Sequence, residues 1–299
     1  MAAASFKHRL IVGAAGAPAA AILNSGGRFE TLAVFERSFY VKDRHDRLIC
    51  FVRDDLEPGP LNLLCAGWPE DSGSLPPEKN VWVLNNGALS SPNVDIILTG
   101  KRLWQPEPCP IPKPESVAAG LQTLKELIRR HSPGDSVATL LFTGPFVSSS
   151  GGLRGTMLVA AAKGVAELSA WLADEVSCAD PCFLLGLGGG LTPAGDDVLG
   201  GTLLGLHALG LIRLAERLAL MVRNAAGFKT NRISQAHLEA ACDGLGVAVL
   251  HDCLAAALAG GKGLSKILPR LTKVGHTSGW DAVLGMMVAL RHYISTSVT

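Results

Sequence analysis

The chain has 299 residues, of which 48% are hydrophobic and 18% are charged. That length allows one large domain or two ordinary ones, and the apolar content is sufficient for a sizeable core. The net charge of +1 argues against a basic surface for nucleic acid and gives no sign of an acidic partner.

The cysteines and the apolar stretches indicate a cytoplasmic protein. Seven scattered cysteines are an odd number, which argues against a disulfide framework and favours a reducing compartment. The apolar stretch at 10–23 contains Gly13 and Pro18 and lacks the features of a secretory signal. The most apolar stretch, 198–212, is too short to span a bilayer. We therefore expect no membrane partner.

Residues 28–103 consist of short apolar runs separated by turn residues, such as RLICFV and NVWVLNNGAL. The Asn86–Gly87 pair and the polar segment 43–46 are typical of hairpin connections. This pattern predicts an N-terminal antiparallel β-rich domain over residues 1–103.

Five prolines lie between Trp104 and Ser116 and predict a stiff, extended linker over residues 104–116. From residue 117 the apolar spacing becomes helical. Further helices are predicted at 155–174, 195–224, 232–242, 245–259, 263–273 and 279–296, and the glycine-rich segment 148–155 predicts a loop. The predicted fold class is α+β, in which a mainly α-helical C-terminal domain, 117–299, follows the β-rich one.

The segment GLGGGLTPAGDD, residues 186–197, has the composition of a ligand-binding loop that leads into a helix. Thr192 could cap that helix and Pro193 suits its first position. Capping and glycine packing could explain these residues without a ligand, but four glycines exceed what a cap needs. A glycine loop before a helix start can bind phosphate, carboxylate or a carbamoyl oxygen through its amides. The candidate amides are those of Gly188, Gly189 and Gly190.

The adjacent carboxylates Asp196 and Asp197 fall in the first turn of the predicted helix. Negative charge is favoured there by the helix dipole, so both could simply complete the cap. They could also hold Mg²⁺, orient a substrate amide or act as a base. Because adjacent helical residues point about 100° apart, we expect the two to have different roles.

A second polar segment, GHTSGWD at 275–281, precedes another predicted helix. Ser278 and Asp281 fit a capping box. Capping leaves His276 and Thr277 unexplained, and a neutral histidine at a helix start could act as a base. A satisfied loop histidine is the alternative. Thr277 and Ser278 are candidates for contacts with a substrate.

The segment between these two, NRISQAHLEAACDG at 231–244, offers Asn231 or Ser234 as a helix cap. Arg232 could bind a substrate carboxylate through both of its terminal nitrogens. A surface arginine without such a role is the alternative.

Together, GLGGGLTPAGDDVLGG and GHTSGWDAVLG resemble the signature segments of the AllH-like family, which includes a subunit of oxamate carbamoyltransferase and relatives described as carboxylases. The resemblance covers about residues 140–290. It implies carbamoyl transfer in purine (allantoin) catabolism, in which oxalurate and phosphate give oxamate and carbamoyl phosphate. It also implies partner subunits, one of them similar to acyl-CoA synthetases. It carries no catalytic assignment.

Two functions are consistent with these features. In the first, the chain is a carbamoyltransferase subunit: the glycine amides hold phosphate or the carbamoyl group, Asp197 orients the amine or a metal, His276 moves the proton, and Arg232 holds the carboxylate. In the second, the chain is a non-catalytic subunit that binds a small anion or nucleotide, or acts as a scaffold. The sequence requires no cofactor, although Asp196 and Asp197 could hold Mg²⁺. We expect the two helix starts to converge on one pocket.

Overall fold

A computed structural model describes residues 7–71, 75–109, 111–143, 153–174 and 179–297. The chain divides into two compact units, Met1–Pro106 and Glu107–Thr299. Most of the predicted loop 148–155 lies outside the described residues.

The described part of the first unit is a sheet with one short helix, α1 (Ala17–Asn24). The described strands are β1 (His8–Gly16), β2 (Arg28–Phe35), β3 (Ser38–Asp43), β4 (Leu48–Arg53), β5 (Asn62–Ala66), β6 (Val81–Asn85), β7 (Ala88–Ser90), β8 (Val94–Ile97) and β9 (Arg102–Trp104). Their order is β5-β4-β3-β2-β6-β7-β8-β1-β9. Strand β1 also pairs with β5, which closes the sheet in the manner of a barrel.

The α+β class is confirmed, but the sheet is mixed, so the prediction of an antiparallel domain is wrong in this detail. The hairpins are antiparallel, whereas β1 runs parallel to β8 and β9, and β4 runs parallel to β5. Local turn signals report hairpins between consecutive strands. They carry no information about the pairing of β1 with strands formed some 90 residues later.

The interior of this unit contains stacked aromatic rings. Phe39 lies between Phe51 and Trp82, with ring centroids 5.0 and 5.8 Å away. All three side chains are fully buried. The indole of Trp82 donates a hydrogen bond of 2.9 Å to Thr31 Oγ1, so its polar atom is satisfied inside the core.

The second unit is helical. Its described helices are α2 (Pro114–His131), α3 (Leu140–Thr143), α4 (Leu153–Ala173), α5 (Ala194–Ala208), α6 (Ile212–Lys229), α7 (Arg232–Cys242), α8 (Ala248–Leu258), α9 (Leu264–Leu271) and α10 (Ser278–Ser297), with 3₁₀ turns at Val137–Thr139 and Pro181–Leu184. Helix α2 begins at Pro114, inside the predicted linker, because proline is accommodated in the first turn of a helix. The predicted helix 195–224 is divided in two at Gly210, whose φ of 71° ends α5.

Helices α5 and α10 form the centre of this unit and touch along their backbones. A Cβ atom on Gly201 would lie 1.9 Å from the Ala282 carbonyl oxygen, and one on Gly285 would lie 1.9 Å from the Val198 carbonyl oxygen. Thr202 Oγ1 donates to the carbonyl of Gly285 at 3.1 Å, which ties the two helices together. This close contact fixes the positions of both helix starts.

One segment of the described residues, Gly155–Ala173 in α4, is long and apolar enough to cross a membrane by length and composition. Only 28% of that span is buried in the fold. A single such helix is weak evidence for a membrane span, since core helices of ordinary proteins share these properties.

Candidate functional site

The two polar segments converge at the starts of α5 and α10. Thr192 Oγ1 and Ser278 Oγ are hydrogen-bonded at 2.9 Å. Thr192 does not cap α5 as expected: Pro193 takes the N-cap position, and no side chain caps it. The Thr192 hydroxyl instead joins its helix start to that of α10.

The glycine loop before α5 presents free backbone amides. Gly188 has a φ of +114° and Gly190 a φ of +89°, whereas Gly189 between them stays outside the positive range. All three are exposed. Within the described part of the chain, their amides have no hydrogen-bond partner. Where φ alternates in sign along a loop, successive amides form a concave cluster of donors that suits an anion.

Three amides of the first turn of α5 are already engaged. Gly195 N donates to the Leu187 carbonyl at 2.9 Å. The amides of Asp196 and Asp197 both donate to the Pro193 carbonyl. These three amides are therefore unavailable to an anion, whereas the loop amides remain available.

Asp196 anchors the loop. Its side chain is buried, and Oδ1 accepts a hydrogen bond of 2.7 Å from the Gly186 amide. Oδ2 accepts from the hydroxyls of Thr230 and Ser234, the latter at 2.6 Å. Both oxygens are thus used to join the glycine loop to the segment that starts α7.

Asp197 points to a different environment, as the helical geometry predicted. The hydroxyls of Ser278 and Thr192 lie beside its carboxyl. Although the residue as a whole is partly exposed, Oδ2 is buried and has no hydrogen-bond partner among the described residues. Burial raises the pKa of this carboxyl well above its usual range, and the charge of Asp281 raises it further.

Asp281 is the site residue that the sequence reading missed as a functional candidate. It does not form the expected capping box, because α10 begins at Ser278 itself and the Asp281 side chain turns to another segment. Its fully buried Oδ1 accepts from Ser136 Oγ at 2.6 Å and from the Val137 amide at 2.9 Å. Oδ2 is buried without a partner in the described residues, and burial raises the pKa of this carboxyl. The sequence signal that could have identified Asp281 was its position within the otherwise apolar run WDAVLG.

Two other candidates lie at the surface and have partners there. The side chain of His276 is 76% exposed, and its Nε2 lies 3.1 Å from Asp135 Oδ2. Arg232 is exposed and donates to Gln235 Oε1 at 2.9 Å. Neither contact is with the glycine loop. Thr277 lies just before α10, where its carbonyl accepts from the amides of the first turn.

Of the two residues predicted as possible caps of α7, Asn231 and Ser234, the structure shows Asn231 in that role. Asn231 Oδ1 accepts from the amides of Ile233 and Ser234, both at 3.0 Å, and so caps the helix. Its Nδ2 donates to the Leu191 carbonyl at 3.0 Å. The segment at 230–234 therefore holds the glycine loop from one side through Asn231 and Asp196.

The described residues contain no group of three or more His, Cys, Asp or Glu side chains arranged to hold a metal ion. Since both Asp196 oxygens accept hydrogen bonds from the fold, the pair Asp196 and Asp197 does not present a shared set of free oxygens. Asp196 is therefore not available as a cation ligand beside Asp197.

Comparison with protein-family models finds one match, to the family described as oxamate carbamoyltransferase subunit AllH, over residues 184–290. No curated protein and no solved structure matches the chain. The matched residues include the glycine loop, the capped start of α7 and the start of α10. The match spans about a third of the chain and supports an AllH-like family assignment.

Proposed function

We propose that the chain is a subunit of an oxamate carbamoyltransferase in which the glycine loop binds the anionic end of the substrate. The observation that carries this proposal is that the family match at 184–290 contains both polar segments, and that the fold joins them through Thr192 and Ser278. The proposed reaction converts oxalurate and phosphate to oxamate and carbamoyl phosphate in purine (allantoin) catabolism. The proposed partners are other subunits, including one similar to acyl-CoA synthetases, in the cytoplasm.

The unpartnered amides of the loop provide the chemistry for such a transfer. In the reverse direction, the amide nitrogen of oxamate attacks the carbamoyl carbon of carbamoyl phosphate, and negative charge develops on the carbonyl oxygen and then on the departing phosphate. Preorganised amide donors stabilise such charge. We assign this role to Gly188, Gly189 and Gly190.

Side chains around the loop complete the proposed mechanism. In that direction, Asp197 orients the oxamate nitrogen that attacks the carbamoyl carbon. His276, whose ring is aligned by Asp135, takes up the proton that this nitrogen loses. Arg232 holds the substrate carboxylate. The side chains of His276 and Arg232 are both exposed and accessible to a substrate.

The second candidate is a non-catalytic subunit that binds a small anion or nucleotide. The contacts of His276 with Asp135 and of Arg232 with Gln235 favour it, since these side chains are engaged away from the loop. In that case the loop would still bind an anion, while partner subunits would carry the reaction.

Two glycines with similar positive φ angles provide a matched pair of alanine variants that tests the proposal. Gly190 has a φ of +89° and Gly210 a φ of +71°, and an added Cβ meets nothing within 4 Å at either position. Alanine in this conformation costs about 1–2 kcal/mol, so Gly190→Ala and Gly210→Ala should destabilise the chain equally. Only Gly190 lies in the loop.

Calorimetry should show that Gly190→Ala binds carbamoyl phosphate about 10-fold or more weakly, because donors to a charged group are displaced. Gly210→Ala should bind as wild type does. In the assembled enzyme, Gly190→Ala should lose turnover, whereas Gly210→Ala should retain it. Equal binding by the two variants would show that the loop does not hold the anion. Binding that depends on Gly190, with turnover that does not, would favour the non-catalytic subunit.

A further inference from the structure

We propose that Asp197 and Asp281, one from each helix start, form a binding site for a single divalent cation such as Mg²⁺. The site adjoins the proposed anion loop, but it is argued from different atoms and can be tested without any substrate.

The first observation is a pair of buried oxygens that the fold leaves unused. Oδ2 of Asp197 and Oδ2 of Asp281 are both shielded from solvent and lack a hydrogen-bond partner among the described residues. An unpartnered buried acceptor loses its hydration without compensation, which costs about 1–3 kcal/mol and more for a charged group. A cation bound between the two carboxyls would satisfy both atoms.

The second observation is that the two carboxyls belong to helix starts that contact each other. Thr192 meets Ser278 at the helix starts, and one to two turns further Gly201 packs against Ala282. Asp197 and Asp281 occupy the intervening positions of α5 and α10. The effect of the Asp281 charge on Asp197 is consistent with this proximity.

The third observation is that one carboxyl oxygen of Asp281 is held by the protein and the other is not. This side chain is fully buried, and Oδ1 is held by Ser136 Oγ and the Val137 amide. Those two donors hold the carboxyl through Oδ1, and Oδ2 remains available as a ligand.

The charge of the site defines the ligand. Neither carboxylate forms an ion pair with Lys, Arg or His within the described part of the chain. Two buried negative charges are costly unless they are compensated, and one divalent cation compensates both. The hydroxyls of Thr192 and Ser278 add further oxygens beside Asp197. Carboxylate and hydroxyl oxygens are hard ligands that suit Mg²⁺, which retains bound water at positions the protein does not fill.

This assignment replaces the pair that the sequence suggested. Asp196 and Asp197 are neighbours in the chain, but Asp196 is committed to Gly186, Thr230 and Ser234. Asp281 takes its place from the other helix.

The test uses the purified full-length chain and Mn²⁺ as a paramagnetic substitute for Mg²⁺. Electron paramagnetic resonance should detect one bound Mn²⁺ per chain, displaced by Mg²⁺. Asp197→Asn and Asp281→Asn should each weaken binding at least 10-fold. Circular dichroism will establish that both variants fold; asparagine keeps an oxygen that can accept from Ser136. Asp252→Asn is the matched control, since Asp252 is exposed and pairs with Arg270 at 2.6 Å. It should bind as wild type does.

Absence of bound Mn²⁺ from the wild-type chain would overturn the proposal, as would unchanged binding in both variants. If wild type binds no ion and Asp281→Asn is more thermostable, the two carboxyls share a proton instead, which also overturns it. None of these outcomes alters the comparison of Gly190→Ala with Gly210→Ala, so failure of the cation site and failure of the anion loop are distinguishable.

Discussion

Thr192 and Ser278 are 86 residues apart in the chain, yet their hydroxyl oxygens lie 2.9 Å from each other. The contact joins the start of α5 to the start of α10 beside the carboxyl of Asp197. It is possible because the two helices approach closely enough for glycine alone to fit at Gly201 and Gly285. The site geometry is therefore a direct consequence of backbone packing in the helical core.

The coupling between these hydroxyls can be measured by a double-mutant cycle with Thr192→Val and Ser278→Ala. We expect a coupling free energy of about 0.5–1.5 kcal/mol in denaturant unfolding, the usual value of a neutral hydrogen bond. Thr272→Val, at an exposed hydroxyl that donates to the Pro269 carbonyl, serves in a parallel cycle with Ser278→Ala. Additivity in both cycles would show that the two hydroxyls do not interact in solution.

Two neighbouring glycines of α5 test the close packing of the helices. Gly201→Ala places a Cβ 1.9 Å from the Ala282 carbonyl oxygen, and the resulting overpacking should destabilise the protein by about 3 kcal/mol or more. Gly200→Ala places its Cβ 3.8 Å from the Ala241 Cβ, an ordinary contact. That variant should gain stability, by about 1 kcal/mol, from higher helix propensity. Equal unfolding midpoints for the two variants would contradict the packing described here.

The sequence predicted those features that depend on local chemistry. Asn231, one of the two predicted caps, caps α7, and the α+β class followed from apolar periodicity. The sequence also predicted that Asp196 and Asp197 would differ, because the direction of helical side chains is a local property. By contrast, the parallel pairing of β1 and the hydrogen bond from Ser136 to Asp281 depend on contacts between distant segments. No spacing within a single segment encodes such contacts.

The roles of short polar residues were harder to predict for a related reason. Thr192 and Ser278 are both residue types that commonly cap helices. Capping would require only contacts between residues close together in the chain. In the folded chain the two hydroxyls contact each other instead, since the helix starts are brought together by glycines further along α5 and α10. His276 likewise meets Asp135, a residue outside every motif.

The anchoring role of Asp196 predicts a specific order of variant stabilities. Asp196→Ala leaves the Gly186 amide and two hydroxyls without their acceptor, and it should cost about 3 kcal/mol or more. Asp196→Asn should cost only about 1 kcal/mol, because its oxygen can accept from Gly186 while the hydroxyls accept from its amide nitrogen. Faster hydrogen exchange at the Gly186 amide should accompany the alanine variant. An asparagine variant as unstable as the alanine variant would show that the charge, rather than the acceptor geometry, holds the loop.

The pH dependence of stability in the barrel unit should be set in part by Asp43. Burial alone would raise the pKa of this carboxyl, but hydrogen bonds from the Arg47 guanidinium and from the amides of Arg47 and His45 outweigh it and lower the pKa. A carboxyl whose pKa is lower in the folded than in the unfolded chain stabilises the fold above its unfolded pKa of about 3.9. That contribution disappears as the pH falls through the lower, folded value.

Asp43→Asn should therefore destabilise the protein at neutral pH by about 2 kcal/mol, the scale of hydrogen bonds to a charged group. The difference from wild type should shrink steadily below about pH 4. Asp55→Asn is the control: Asp55 also pairs with an arginine, Arg53 at 2.6 Å, but its side chain is 51% exposed. Solvent screening should limit its effect to within about 1 kcal/mol at any pH. Urea unfolding of both variants across the acid range measures these differences, and a constant deficit for Asp43→Asn down to the lowest pH would exclude the ionised pair as its cause.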